Sequence, residues 1–223
     1  CDVISGDDAE DAVKVLRRTL TESEKQSIHM CFIGQLKNAA MLLRSLPDEI
    51  SPLNGIELVR TKVAEITVMG GNFSKAEIKD VKYDGSDVEY NIKCDIPSAK
   101  YFCENCPVKT VFCGFELGVD ILSGREMLAL DNDENPTNFM YKVHGGERSS
   151  WDLLAVLYCV HGAEDNFELS DAGNIRITDT GISLFEAAPN GKHFYLKLKS
   201  DKETLENLLN KLLIIPPKGI QYF

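Results

Sequence analysis

The sequence predicts an α/β fold: a mostly parallel open sheet flanked by helices, with a small antiparallel appendage near the C-terminus. Three observations carry this expectation. Short apolar runs alternate with helical periodicities over roughly the first half of the chain. Three of those runs end on glycine, at Gly34, Gly70-Gly71 and Gly114, as strands do when they turn into a crossover. Beyond Phe167 the pattern changes to short strand-like runs with an Asn190-Gly191 dipeptide among them, which signals a hairpin turn.

The elements follow in order. Asp7 or Asp8 is placed to cap a first helix, whose apolar stripe is Val13, Leu16 and Leu20. Ile28 to Ile33 reads as a strand, Gly34 ends it, and Leu36 to Leu46 reads as a helix. Val63 to Met69 is almost wholly apolar, as a strand buried on both faces must be. Residues 72–88 are polar and read as a loop. Pro97 to Cys103 suggests a helix with proline near its start, and Val108 to Cys113 a third buried strand. Ser150 is placed to cap a helix over 151–161. Phe167-Leu169, Ile175-Ile177 and His193-Leu198 are the later strands. Ser200-Asp201-Lys202-Glu203 resembles a capping box for a helix through Leu213, which Pro216-Pro217 stops.

Composition excludes some functions. The chain has 223 residues and a net charge of -11, which argues against nucleic acid because phosphate binding needs clustered Lys and Arg. No apolar run approaches the ~18–20 residues of a membrane span. Seven cysteines without a framework pattern read as reduced thiols in a reducing, cytoplasmic setting. Cys103-Glu104-Asn105-Cys106 has zinc-like spacing, but no second pair follows; a helix end with two half-buried thiols is the expectation. The acidic runs Asp7-Asp8 and Asp131-Asn132-Asp133-Glu134 mimic a calcium loop, yet the second lacks the glycine and distal glutamate of an EF-hand.

Two clusters carry the functional signal. Glu89-Tyr90-Asn91 lies between the polar loop and Ile92-Lys93-Cys94-Asp95, and Trp151-Asp152 opens an apolar helix. Each puts a carboxylate where the backbone changes direction, a usual mounting point for ligand groups. Ligands in such sheets sit at the carboxyl ends of strands, which the glycines mark.

In family order, four strings resemble the inosine-uridine preferring nucleoside hydrolases. Ile33-Gly34-Gln35-Leu36-Lys37-Asn38-Ala39-Ala40 looks like their glycine turn and helix, and Val68-Met69-Gly70-Gly71 like their Met-Gly-Gly strand end. Glu89-Tyr90-Asn91-Ile92, followed by Asp95 and Ala99, resembles their Glu-aromatic-Asn-Ile segment. Ser150-Trp151-Asp152-Leu153-Leu154-Ala155-Val156 resembles the segment that carries their last metal-binding aspartate. No counterpart of the family's Asp-rich opening segment is found, and the chain starts at Cys1. Residues 1–223 are therefore expected to be the C-terminal portion, roughly two thirds, of one such domain, inert by itself.

The resemblance implies an enzyme that hydrolyses the N-glycosidic bond of a ribonucleoside through an oxocarbenium-like transition state, with calcium as cofactor. By carry-over, Asp152 and the backbone carbonyl of Ile33 are metal ligands. Glu89 and Asn91 bind ribose hydroxyls, and Met69 lines the sugar pocket. In an extended segment, residues two apart point to one face, which would give Glu89 and Asn91 a two-point grip. A homo-oligomer is compatible with the resemblance.

Three departures stand out. Trp151 occupies the place where many members carry a histidine as the leaving-group acid; it cannot donate that proton, but it can stack on a base. A core or interface role for this single tryptophan is the alternative. Tyr83 stands six residues before Glu89, where members often have a sugar-binding asparagine, and Asn72 is the one candidate to replace that amide. The 72–88 loop also looks longer than usual. A non-catalytic, sugar- or partner-binding relative of the same fold is the alternative function.

Overall fold

The computed structural model describes residues 6, 9–80, 82–130, 132 and 134–215. Asp7, Asp8, Asp131, Asp133 and the Pro216-Pro217 stop lie outside the described residues. The first helix, α1 (Ala12–Glu22), is capped instead by Asp11, whose side chain accepts from Lys14 N. Its stripe holds an unexpected member: Arg17 is buried with Leu20. Its guanidinium reaches Ser45, both oxygens of Asp48 and the carbonyls of Ser51 and Leu53. A charge can be buried there because its donors are met by oxygens.

Strand β1 (Ile28–Phe32) leads to α2 (Lys37–Arg44), then α3 (Gly55–Lys62) and β2 (Val63–Met69). Asn54 and Glu57 form a reciprocal capping box at the start of α3. The polar stretch contains a short 3-10 turn, Gly85–Asp87, and leads into α4 (Tyr90–Cys94) and α5 (Ile96–Asn105). Then come β3 (Thr110–Cys113), α6 (Phe115–Gly118), β4 (Leu122–Ser123), α7 (Arg125–Ala129), α8 (Pro136–Val143), β5 (Arg148–Ser149) and α9 (Trp151–His161). The chain closes with β6 (Phe167–Leu169), β7 (Gly173–Ile177), β8 (Ser183–Ala187), β9 (His193–Leu198) and α10 (Lys202–Leu213), the last capped by Asp201.

The main sheet has the order β1-β2-β3-β9-β7-β8, with β6 also paired to β9. The pairs β1–β2, β2–β3 and β3–β9 are parallel; β6–β9, β7–β9 and β7–β8 are antiparallel. The mostly parallel sheet with helices around it is thus present, and the antiparallel strands are joined to it through β9. A separate two-stranded ribbon pairs β4 with β5. Asn190-Gly191 does lie in a turn, with Gly191 N donating to Ala188 O. It makes no hairpin, because β7 separates the strands on either side of it. The hairpin is β7–β8, closed by Gly181 N to Thr178 O.

Each sheet face has its own core. One is built from Leu36, Ala39, Leu58, Ala99 and Phe102 over Ile66, Val68 and Phe112. The other packs Leu154, Ala155, Leu157 and Tyr158 of α9 over Met69, Val111 and Cys113, with Leu205 and Leu209 of α10 behind. Cys103 and Cys106 are buried as free thiols at the end of α5, pushed up in pKa chiefly by burial, with Cys106 Sγ 3.3 Å from Thr110 Oγ1. Because α9 starts beside the end of β3 (Cys113 Sγ lies 3.7 Å from Trp151 O), its N-terminus joins the carboxyl ends of the parallel strands.

Candidate active site

The site begins at the turn that ends β2. Gly71 has φ of +82°, a conformation glycine adopts without a steric penalty. A Cβ there would also lie 2.8 Å from the Phe73 ring. Gly70, Gly71 and Phe73 of this turn are each held by a hydrogen bond from the backbone N–H. Gly70 N donates to Cys113 O at 3.1 Å, and Phe115 N donates to Gly71 O at 2.8 Å. Gly71 N donates to Glu89 Oε2 at 3.3 Å, and Phe73 N to Glu116 Oε2 at 2.9 Å.

Glu89 and Asn91 are not in an extended segment, so the shared-face argument does not hold. Glu89 is the N-cap of α4, and Asn91 is in its first turn. The Glu89 carboxylate accepts from Asn91 N at 2.8 Å, Ile92 N at 3.1 Å and Gly71 N. It is 5% exposed. Burial raises its pKa, while those backbone donors pull the other way. Asn91 reaches back to β2: its Nδ2 donates to Met69 O at 3.2 Å and lies 3.2 Å from Met69 Sδ. Met69 itself is buried. Glu89, Asn91 and Met69 therefore form one hydrogen-bonded group at the end of β2.

Trp151 and Asp152 start α9. Ser150 is the N-cap residue of this helix, as its position implied, but its side chain makes no cap hydrogen bond; its hydroxyl donates to Ser123 Oγ instead. Trp151 stacks on Phe115 at 5.5 Å between ring centroids, and its Nε1 donates to Phe115 O at 2.9 Å. Gly118 permits the approach, since a Cβ there would lie 2.7 Å from Trp151 Cα. The half-buried tryptophan is thus joined to the Gly71 turn through Phe115. Asp152 is exposed at the start of α9, and the partial desolvation of its carboxylate raises its pKa. Its charge is felt at the ends of β1 and β3: it is among the causes, after burial, that push the Cys31 thiol up to about 12 and the Cys113 thiol well up. Ile33 follows β1 one residue past the Phe32–Val68 pair, level with Met69, and is 44% exposed.

Tyr83 stays in its own loop, under Lys75 Nζ at 5.8 Å, and Lys75 is paired with Asp87. The Asn72 Oδ1 accepts from Ser74 N and Ser74 Oγ, so its carbonyl serves its own turn. Phe115 and Glu116 were not singled out from the sequence. Their signal was their place, directly after the Gly114 that marks the end of a parallel strand. Among the described residues no group of three or more His, Cys, Asp or Glu side chains is arranged to hold a metal ion. Asp152 and the Ile33 carbonyl are hard oxygen donors, but calcium takes about 6–8 of them.

The fold and the site define an α/β protein that gathers Glu89, Asn91 and Asp152 near the carboxyl ends of its parallel strands. The inosine-uridine preferring nucleoside hydrolase family pattern matches residues 4–194, and the chain belongs to that family. The crystal structure of an inosine-uridine preferring nucleoside hydrolase from Bacillus anthracis is similar, with a TM-score of 0.63 and 16% identity. That match covers 92% of this chain and 65% of the other, so the chain spans less than two thirds of its length. At this identity the likeness speaks for the fold. A comparison with curated proteins finds no match. Among the described residues no helix is long and apolar enough to cross a membrane.

Proposed function

We propose that this chain carries the sugar-binding half of a nucleoside hydrolase-type N-glycosidase, which releases ribose and free base from ribonucleosides. The observation that carries this reading is the Glu89–Asn91–Met69 group on the Gly71 turn, in a member of this family. A ribose hydroxyl can donate to the Glu89 carboxylate and exchange bonds with the Asn91 amide. The backbone donors already on Glu89 hold the carboxylate in place for that contact. The Trp151–Phe115 pair offers a flat apolar face to a leaving base. Charge builds on the sugar ring in the oxocarbenium-like transition state, and Glu89 and Asp152 put anionic oxygens on that side. The calcium dependence implied by the resemblance needs donors beyond Asp152 and the Ile33 carbonyl. We place the protein in the cytoplasm, a reading supported by six free thiols among the described residues.

A second reading has its own support. Trp151 is committed to Phe115 O, and Asp152 has no cluster of metal-binding neighbours among the described residues. These favour a non-catalytic sugar-binding relative. Reducing-sugar release by the whole protein over a panel of purine and pyrimidine nucleosides, with calcium and with chelator, separates the two. Release that stops with chelator supports the hydrolase. Ribose binding without release from any nucleoside supports the binding protein and sinks the hydrolase.

A further inference from the structure

Glu116 has no part in the reading above, yet its place is unusual. It sits in α6, two residues past the glycine that ends β3, with its carboxyl group mostly removed from water and raised in pKa by burial. It borders a cavity of about 270 Å³ between the Phe73 segment and the end of β9. Its Oε2 accepts from Phe73 N at 2.9 Å. The Phe73 ring is in turn held by stacking on Tyr195, with centroids 5.0 Å apart.

Glu89 and Glu116 grip the same turn from two directions: Glu89 takes the N–H of Gly71, and Glu116 that of Phe73. Phe115, the neighbour of Glu116, completes the connection. Its N–H donates to Gly71 O, while its ring and carbonyl hold Trp151. Glu89 thus fastens the start of α4 to the β2 turn, and two adjacent residues of α6 fasten that turn to the start of α9.

We propose that Glu116 is a positioning residue, which locks the Gly71–Phe73 turn and so aligns the Glu89–Asn91 sugar grip with Trp151. The role in sugar binding rests on the functional reading above; the lock itself does not. Glutamine at 116 keeps an oxygen that can accept from Phe73 N. Alanine removes the acceptor, and aspartate keeps the charge but falls short of the amide.

Hydrogen exchange and fluorescence test the lock without any activity, since Trp151 is the only tryptophan in the chain. In E116A and E116D, exchange of the Phe73 amide should accelerate about tenfold or more, the effect of one ordinary hydrogen bond. The Gly71 amide should follow, and the Trp151 emission should shift, while E116Q stays like the parent. If E116A does not fold, E116D is read alone. Faster exchange confined to Phe73, with Gly71 and Trp151 unchanged, overturns the proposal. So does an E116Q that loosens as much as E116D. An inosine titration followed by Trp151 fluorescence adds the functional arm: E116D should bind about tenfold more weakly than the parent, and E116Q within about twofold. A parent protein that binds no inosine counts against the functional reading, and the exchange result then decides the lock.

Discussion

The carboxylate of Glu89 accepts a hydrogen bond from the amide of Gly71, which lies eighteen residues earlier in the chain. This contact ties the cap of α4 to the end of β2. It makes one side chain serve both as a helix cap and as a clamp on the β2 turn. A residue in that position cannot be changed for its function alone.

Glu89→Gln tests this double role. The amide group presents N–H to backbone donors that need an acceptor, so at least one of the three bonds to Gly71, Asn91 and Ile92 is lost. A buried donor left without a partner costs about 1–3 kcal/mol, and loss of a cap is typically worth about 1 kcal/mol. Thermal unfolding should show a clear fall in Tm, and ribonucleoside turnover or ribose binding should fall roughly ten- to a hundredfold. An unchanged Tm would show that the cap contributes little.

His193 makes stability depend on pH. It is buried at the start of β9, and burial lowers its pKa from 6.5 to about 4. Its Nδ1 accepts from Ile175 N at 2.8 Å, which requires a ring without a proton on that nitrogen. The unfolded chain binds the proton more readily, so the contribution is complete above about pH 6.5. It is lost as pH falls through the window down to about 4, and is flat below it. The loss amounts to about 3 kcal/mol. An NMR titration of the His193 ring should give a midpoint near the lower value; a midpoint near 6.5 would refute the assignment.

Much of this fold is legible in the sequence because local patterns match their environments. Val63–Met69 reads as a buried strand since it lies between two strands under helices on both faces. Other features depend on partners distant in sequence. Nothing local to His193–Leu198 shows that it pairs parallel to β3, or that β7 comes between it and β8. The Thr178–Gly181 turn lacks a strong dipeptide signal, whereas Asn190-Gly191 has one and turns without making a hairpin. Glu89 was misread as extended because glutamate is not among the favoured N-caps; Gly71 and Ile92 supply the donors that make it one. The resemblance named Glu89, Asn91, Met69, Trp151 and Asp152 as candidates, but the joint made by Phe115 and Glu116 was not legible, since it exists only where two strand ends meet.

Calcium affinity tests how much of a metal site these residues hold. Asp152 and the Ile33 carbonyl are two donors where about 6–8 are needed. Calorimetric titration of this chain should give binding no tighter than about 1 mM, the weak end of the range for proteins. Asp152→Asn should abolish what there is. One-to-one binding in the micromolar range would show that donors outside this pair complete the site.

Gly118→Ala tests the seat of Trp151. The added Cβ would lie 2.7 Å from Trp151 Cα and 2.8 Å from its N. Both are backbone atoms, so neither can swing aside as a side-chain tip could. Either α6 or the start of α9 must shift. Ser150 N donates to Gly118 O at 3.2 Å, and that bond would be strained by the same movement. Overpacking of this kind costs about 1–3 kcal/mol. The shift should also open the stack of Trp151 on Phe115 and lengthen the bond from Trp151 Nε1 to Phe115 O. Trp151 emission should therefore move to longer wavelength and become easier to quench with acrylamide, at a temperature where circular dichroism shows the fold intact. A variant with parental emission and parental Tm would mean that α6 and α9 do not meet as closely as this geometry requires.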